Sequence, residues 1–580
     1  MIARSALLSF LLLVNSCAKA LSNSRLGRDP FVAFLKVNND ANRINLAKKR
    51  EDYRRISKVE SGNIQDVNST VSPDSTSGSS ENFDLDALAK EFTYDANAPV
   101  KNQMGSRLSK LKFIEHEIGA DPYPEVSAAD VVTDIAAIIA KHNDMDNGTE
   151  LESTDYRVYG RITSIRFEGQ FVVLQDCKGN SIQVMFKRKE QVNIAKKTLT
   201  GENINKVIDI GDVVDVKGYV KKTSTGELTL VAQSMTVLAK CIFPLPDLYH
   251  GLKDVSTRFR FRHIDIMTNN DTRELLLQRS NMVWGLRQLL HSKGFTEVET
   301  PILNYNYSGA NAVPFSTTSK ALGEKLYMRI APEFFLKRLI TGGLADKIFE
   351  IGKCFRNEGT STQHSPEFTM IEIYQQLADA NDMIALTEEI VAKVAEQIGA
   401  KAIPLGWERR TMRDLIREHS QVDIDQCDKE QLVTLLQKRG MDEELIRAAT
   451  WGELVCELFK SDVEEKLVQP IHVTELPAEV APLADGNGKY SRVFESYIGS
   501  MEVAHGCTEE CNPLELMEKL NRCGLQEMAH EHDKEFMNAL AHGMPPTAGL
   551  GIGIDRLLMA LTGTTSIKNT QTFPLLKRAD

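Results

Sequence analysis

Along the chain the spacing of apolar residues switches between continuous, helical and alternating, and each switch marks a boundary. Residues 6–14 form an apolar run, interrupted only by Ser9, behind Arg4 and closed by Ala18-Lys19-Ala20. A charged start, an apolar stretch and a small-x-small site are the layout of a secretory signal peptide, and this run is too short to span a bilayer comfortably. Residues 22–58 carry many Lys and Arg with few acids, as a transit peptide does, and residues 61–81 are a Ser, Thr, Asn and Asp run with almost no apolar side chain. Such a run cannot bury enough surface to offset its chain entropy and reads as a disordered linker. Folded structure is expected from near Phe83. Leu108, Leu111, Ile114 and Ile118 then share one face of a helix over 105–119 that Gly119 ends, and Val131, Val132, Ile135, Ile138 and Ile139 build a second over 128–142.

Between 156 and 237 the period falls to two. Alternating runs at 157–162, 170–175, 182–186, 213–220 and 228–231, separated by Gly turns, predict five strands. Five short strands suggest a small closed barrel, and the OB-fold is the common five-stranded barrel that binds oligonucleotides. After the break at Pro244-Leu245-Pro246, helical spacing returns: Leu275, Met282, Leu286 and Leu289 lie along a helix over 271–293 that leads into Gly294-Phe295-Thr296-Glu297-Val298-Glu299-Thr300-Pro301. That helix suits internal core and subunit contact equally. Residues 381–399 and 428–460 predict further helices. The organisation is therefore a signal peptide (1–20), a transit-like and linker segment (21–82), a helical lead-in (83–150), a barrel (151–246) and an α+β domain (247–580) with a helical insertion at about 375–470.

Two stretches in the last domain carry chemistry. Residues 347–352 and 369–374 read as antiparallel strands joined by a loop holding Phe355-Arg356-Asn357-Glu358-Gly359 and Gln363-His364-Ser365-Pro366-Glu367-Phe368. A hairpin that only turned would be shorter. This loop offers a guanidinium for phosphate (Arg356), polar groups for base and sugar edges (Glu358, His364) and a ring to stack on a purine (Phe368), which suits a nucleoside triphosphate. Near the C-terminus, Gly549-Leu550-Gly551-Ile552-Gly553 is a strand with alternate glycines, where a ligand can approach backbone closely. Asp555-Arg556 then opens an apolar helix that aims Arg556 at the same place.

Composition adds limits. With 580 residues, 42% hydrophobic and 26% charged, the chain is globular with two or three domains. A net charge of −11 argues against non-specific coating of RNA and leaves a local basic face open. Nine cysteines without a regular framework point to a reduced compartment. His505, Cys507, Cys511 and Cys523 lack the paired spacing of a zinc site.

The arginine loop, the glycine strand with its arginine and the stretch 294–301, in their order, resemble the three signature motifs of class II aminoacyl-tRNA synthetases. Asp121-Pro122-Tyr123-Pro124, His250-Gly251-Leu252-Lys253-Asp254, the run from Arg329 to Leu339 and Pro477-Ala478-Glu479-Val480-Ala481-Pro482-Leu483 narrow the resemblance to the lysyl-tRNA synthetases, from about residue 105 to the C-terminus. The resemblance implies an α+β chain: an OB-fold barrel that binds the anticodon, then a catalytic domain with an antiparallel sheet flanked by helices. It implies ATP, L-lysine and tRNA(Lys) as substrates, Mg²⁺ as cofactor, a homodimer through the 271–293 helix and no membrane in the mature form. Residue by residue it places Arg166, Phe171 and Gln183 on the anticodon. It places Arg356, Asn357, Glu358, His364, Phe368, Glu495, Ser496, Gly553, Asp555 and Arg556 around ATP, with Arg356, Glu358 and Arg556 catalytic and Glu495 and Glu502 on the metal. Gly309, Glu333, Arg356, Glu372, Tyr374, Glu502, His505, Cys507 and Glu509 fall around lysine.

The chain departs from that family at His505, where an asparagine is usual, at Cys507, where an aromatic is usual, at Ser365, where an asparagine is usual, and at Ser308, the first of a usual glycine pair. An altered but working pocket is expected, because imidazole still donates to a carboxylate. An aspartate- or asparagine-specific relative shares barrel and motifs, but Glu333 and Glu509 oppose an anionic substrate. A non-catalytic paralogue that kept tRNA contacts is favoured only by His505 and Cys507. A signal peptide followed by a basic segment points to a plastid of the apicoplast kind reached through the secretory route, with the mitochondrion as alternative.

Overall fold

The computed structural model describes residues 100–126, 132–194, 197–246, 252–306, 312–486, 488–522 and 534–577. The signal, transit and linker expectations and Gly309 lie outside the described residues. Among the described residues no helix is long and apolar enough to cross a membrane.

The first helix runs Val100–Lys112, widens into a π-turn at Phe113–Ile118 and ends on Gly119, whose φ of 68° only glycine adopts at little cost. The second is shorter than its apolar spacing suggests. It spans Ile135–His142, because Asp134 caps it by accepting from the Ala136 N–H.

The barrel strands are β1 (Glu150–Arg166), β2 (Phe171–Gln175), β3 (Ser181–Met185), β4 (Gln191–Ile194), β5 (Lys197–Thr200), β6 (Val213–Lys222) and β7 (Leu228–Ala239). Strands β1, β2, β3, β7 and β6 close the five-stranded ring through a parallel β3–β7 pairing. The alternating runs found those five; the β4–β5 hairpin, laid on β7, was too short to show a period. Val158, Ile162, Leu174, Val184, Val216 and Leu230 fill the barrel, and Ile114, Ile118, Ile135 and Ile138 join the same core from the lead-in helices.

The larger domain holds β8 (Thr296–Glu297), β9 (Leu303–Asn304), β10 (Ser316–Thr318), β11 (Lys325–Met328), β12 (Lys347–Phe355), β13 (Glu367–Gln376), β14 (Glu408–Thr411), β15 (Ile471–Thr474), β16 (Val493–Ile498), β17 (Met501–Thr508) and β18 (Thr547–Gly553). Eight form one sheet in the order β14-β15-β16-β17-β18-β13-β12-β8. Its centre is antiparallel, and the parallel pairs are confined to the edges, β8 on β12 and β14 on β15. One face is covered by helices Asn270–Ser292, Ala380–Ile398 and Ile554–Thr562, whose Leu286, Leu290, Ile390, Val394, Leu557 and Leu558 pack on Phe349, Ile371, Leu550 and Ile552. Helices Met412–Ser420, Lys429–Lys438 and Trp451–Asp462 enclose a separate core that reaches Val473 and Tyr497. The opposite face of the sheet is left for a cavity.

Candidate functional site

A cavity of about 670 Å³ lies over β13, β17 and β18. One end is a cluster of acids around a buried cation. Helix Glu333–Thr341 puts Glu333 and Lys337 on one face, four residues apart. Lys337 Nζ lies 2.5 Å from Glu333 Oε1 and 2.6 Å from Glu509 Oε2, with its side chain 2% exposed. Glu372, on β13, is buried close by and accepts from the Tyr374 hydroxyl at 3.3 Å. Burial, with the charge of Glu333 added, pushes the Glu372 carboxyl up to about 8. Burial likewise raises Glu509, against the pull of Lys337, and holds the Tyr374 hydroxyl and Cys507 thiol protonated. Three carboxyls thus share one ammonium. With Glu372 protonated, two charges face one, and the pocket is one cation short.

The glycine strand earns its composition here. A Cβ at Gly549 would stand 2.1 Å from Glu509 Oε1 and 2.7 Å from Tyr374 Cε1, whereas at Gly551 and Gly553 it would make ordinary contacts. Gly549 therefore makes room for the acid cluster itself.

At the other end the β12–β13 hairpin supplies the arginine loop, with Phe355 paired to Glu367 at its mouth. The Arg356 guanidinium lies over the Phe368 ring at 5.1 Å, and its Nε is buried with no hydrogen-bond partner among the described residues. Glu358, His364, Phe368, Gly553 and Arg556 line this end with it. Arg556 donates through Nη1 to Glu502 Oε2 at 3.0 Å and through Nη2 to His364 Nε2 at 2.9 Å. Accepting at Nε2 leaves the His364 proton on Nδ1, toward Ser361 Oγ. Burial and the adjacent Arg556 charge lower the His364 pKa and keep the ring neutral.

Between the two ends stand Glu495, Glu502 and His505. Across β16–β17 Glu495 faces His505, Ser496 faces Ala504 and Tyr497 faces Glu502. Val503 is the extra residue of a β-bulge, and it turns Glu502 onto the face that holds Glu495 and His505. Burial works against the Glu495 charge, but His505 and the Tyr497 hydroxyl, donating at 2.8 Å, outweigh it and lower its pKa. Burial and the Glu495 charge raise Glu502. For His505, loss of water opposes the charged form, but Glu495 and Glu502 win and raise its pKa.

On the barrel, Arg166 ends β1 opposite Phe171, and Gln183 lies on β3 beside them. Arg166 Nη2 reaches Gln183 Oε1 at 3.4 Å, and Gln183 Nε2 donates to Thr229 Oγ1 at 2.8 Å. The Phe171 ring sits on Met185, Tyr219 and Val231, with Phe167 edge-on at 6.0 Å. A cation, an amide and a half-buried ring on one patch can hold and read an unstacked base.

Comparison with known proteins matches both domains. Residues 254–577 match the family of class II tRNA synthetases for D, K and N, and residues 156–238 match the OB-fold nucleic acid binding domain. The lysine–tRNA ligase of Rhizobium johnstonii is 37% identical over 487 residues, covering 81% of this chain and 95% of its own. That of Pelotomaculum thermopropionicum is 39% identical over 454 residues (75% and 88%), and that of Staphylococcus saprophyticus 37% over 504 (83% and 99%). The chain belongs to the lysine–tRNA ligases.

Within that family frame, two expected ATP contacts, Ser496 and Asn357, lie outside the cavity lining, and a third, Asp555, lines it with both carboxylate oxygens already bonded. Ser496 is fully buried on the far side of the sheet, its hydroxyl bonded to His472 Nδ1 at 2.8 Å, because strand alternation turns it away from Glu495. Asp555 is 2% exposed and spent on the Thr369 N–H, Arg279 and Thr570, clamping β13 to the helix that carries Arg556. Asn357 is exposed on the loop, tied by its N–H to the Val313 carbonyl. Lys337 is the residue that sequence reasoning missed. Its signal was present, a Lys four residues after a candidate pocket Glu on a short helix.

Proposed function

We propose that this lysine–tRNA ligase joins L-lysine to ATP to form lysyl-adenylate and pyrophosphate, then passes lysine to the terminal adenosine of tRNA(Lys). The observation that carries the reading is the acid cluster one cation short, which a lysine ammonium would complete. Glu333 and Glu509 supply its charge partners, already oriented by Lys337, and Tyr374 an oxygen. The substrate carboxylate then lies toward His505 and the arginine end. In activation, a carboxylate oxygen of lysine attacks the α-phosphorus in line and the bond to the pyrophosphate oxygen breaks. No general base is needed, since the nucleophile is already ionised. Arg356, held over Phe368 with a free Nε donor, and Arg556, held by Glu502 and His364, neutralise charge gathering on phosphate oxygens, while Glu358, His364 and Phe368 hold the adenosine. In transfer, a ribose hydroxyl of the tRNA attacks the acyl carbon and AMP leaves. Glu495 and Glu502 are two converging carboxylates of the kind that holds Mg²⁺. When bound, the ion supplies positive charge to the phosphates. Arg166, Phe171 and Gln183 would take the central anticodon base.

Two finer readings accompany this. The exposed Leu277 and Trp284, seven residues apart on the Asn270–Ser292 helix, suit a homodimer contact. The apolar start and basic second segment of the chain support delivery to a plastid, which a fluorescent fusion of the first 82 residues would locate. The activity is tested by amino-acid-dependent ATP–pyrophosphate exchange with each amino acid supplied singly. Exchange with lysine alone is expected; exchange with aspartate or asparagine, or with none, rejects the reading.

A further inference from the structure

The carboxylate pair has a third donor beside it. One ligand atom each from Glu495, Glu502 and His505 lie within 4.8 Å of one another. This is built by the sheet rather than by a mobile loop: Glu495 and His505 are direct partners, and the Val503 bulge brings Glu502 to their face. His505 Nδ1 stands 3.8 Å from Glu495 Oε1, too far for a hydrogen bond, and its side chain is 48% exposed. Two donors on one first-row ion at about 2.1 Å each would stand roughly 3 to 4 Å apart. Negative charge is in excess here. Two carboxylates face one guanidinium, Arg556, which pairs with Glu502 at 3.0 Å.

We infer that His505 is a third protein ligand of the divalent-cation site, and that the nucleotide-free protein takes an imidazole-accepting ion such as Co²⁺ or Zn²⁺ in preference to Mg²⁺. The inference rests on reading Glu495 and Glu502 as the ion's carboxylates. Its chemistry is direct. Mg²⁺ wants oxygen ligands and sheds water reluctantly, whereas imidazole suits later first-row ions, whose affinity for mixed N/O sites is higher. Arg556 would share Glu502 with the ion, so that the cation which steadies the empty site and the one that meets the phosphates occupy neighbouring positions on the same carboxylate.

The test uses the full-length, nucleotide-free protein and Co²⁺ as probe, with His505→Asn as the variant. His505 is half exposed, so the variant is expected to fold, and circular dichroism checks this. Titration followed by the visible Co²⁺ bands and by calorimetry should show one ion per chain, bound at least tenfold more weakly in H505N, while Mg²⁺ affinity changes less than about twofold. Glu495→Gln should weaken both ions. Equal Co²⁺ affinity in parent and H505N, or Mg²⁺ bound as tightly as Co²⁺ by the parent, overturns the assignment. Failure of the ligase reading would look different: no lysine-dependent exchange in parent or variant, with Co²⁺ binding untouched.

Discussion

Lysine affinity should climb with pH through neutrality, and Glu372 is the group responsible. In the empty pocket burial and the Glu333 charge hold its carboxyl protonated up to about 8, against an ordinary value of 4.5. A bound ammonium a few ångströms away favours the ionised form, so binding expels the proton. If only ionised Glu372 takes lysine, the binding constant rises about tenfold from pH 6 to 7 and about fivefold from pH 7 to 8, then levels. The substrate ammonium stays charged throughout, with a pKa near about 10.4. Calorimetry in two buffers of different ionisation enthalpy should count roughly 0.9 proton released per lysine near pH 7. In Glu372→Gln the slope and the released proton should both vanish. The same proton has a stability consequence. Above 4.5 the unfolded carboxyl ionises first while the folded one keeps its proton, so the unliganded protein loses stability as pH rises toward 8, and saturating lysine should offset that loss. Affinity constant within twofold across this range, or a slope that survives in E372Q, would refute the account of the pocket.

Three further changes probe separate parts. Glu333→Gln leaves the ammonium underpaired and should cost about 2–5 kcal/mol in kcat/KM for lysine, with ATP affinity little changed, as read by pyrophosphate exchange. Lys337→Met strands Glu333 and Glu509 and should lower unfolding stability by about 3–5 kcal/mol in urea melts, and Lys337→Met with Glu509→Gln should recover much of it. Recovery is the informative outcome, because simple loss of packing would persist in the double variant. Phe171→Ala removes a stacking ring and should weaken tRNA use by about 1–3 kcal/mol while leaving pyrophosphate exchange intact.

The parts of the fold that sequence announced are those where one period governs one element. The alternation of 213–220 and the glycine strand 547–553 could be read directly, as could the helix closed by Gly119, because in each a single spacing sets which residues pack on the core. The readings that slipped involve partners from elsewhere in the chain. The β4–β5 hairpin is defined by its seat on β7. Asp555 carries the residue type of a ligand contact, yet its oxygens are consumed by Thr369, Arg279 and Thr570, which lie 186, 276 and 15 residues away. Ser496 follows Glu495 directly in the strand, and strict alternation puts it on the other face.

Glu502 shows the same rule broken by one residue. Strict alternation from His505 would send Glu502 to the helix side of the sheet, where a carboxylate among Val503, Ala504 and Ile552 would have no partner. The Val503 bulge reverses its direction and gives it Arg556. A bulge disrupts the ladder locally, so its retention must rest on what it places. Here it places the second carboxylate of the site. At the acid cluster the sheet answers the opposite problem: carboxyls crowd together, and Lys337 and a proton on Glu372 hold their charge to one uncompensated unit until a cation arrives. One end of the cavity thus gathers carboxylates around a single ammonium, and the other presents guanidinium. On the proposed reading, the reacting carboxylate and α-phosphate would meet between them, over the strand pair β16–β17 that carries Glu495, Glu502 and His505.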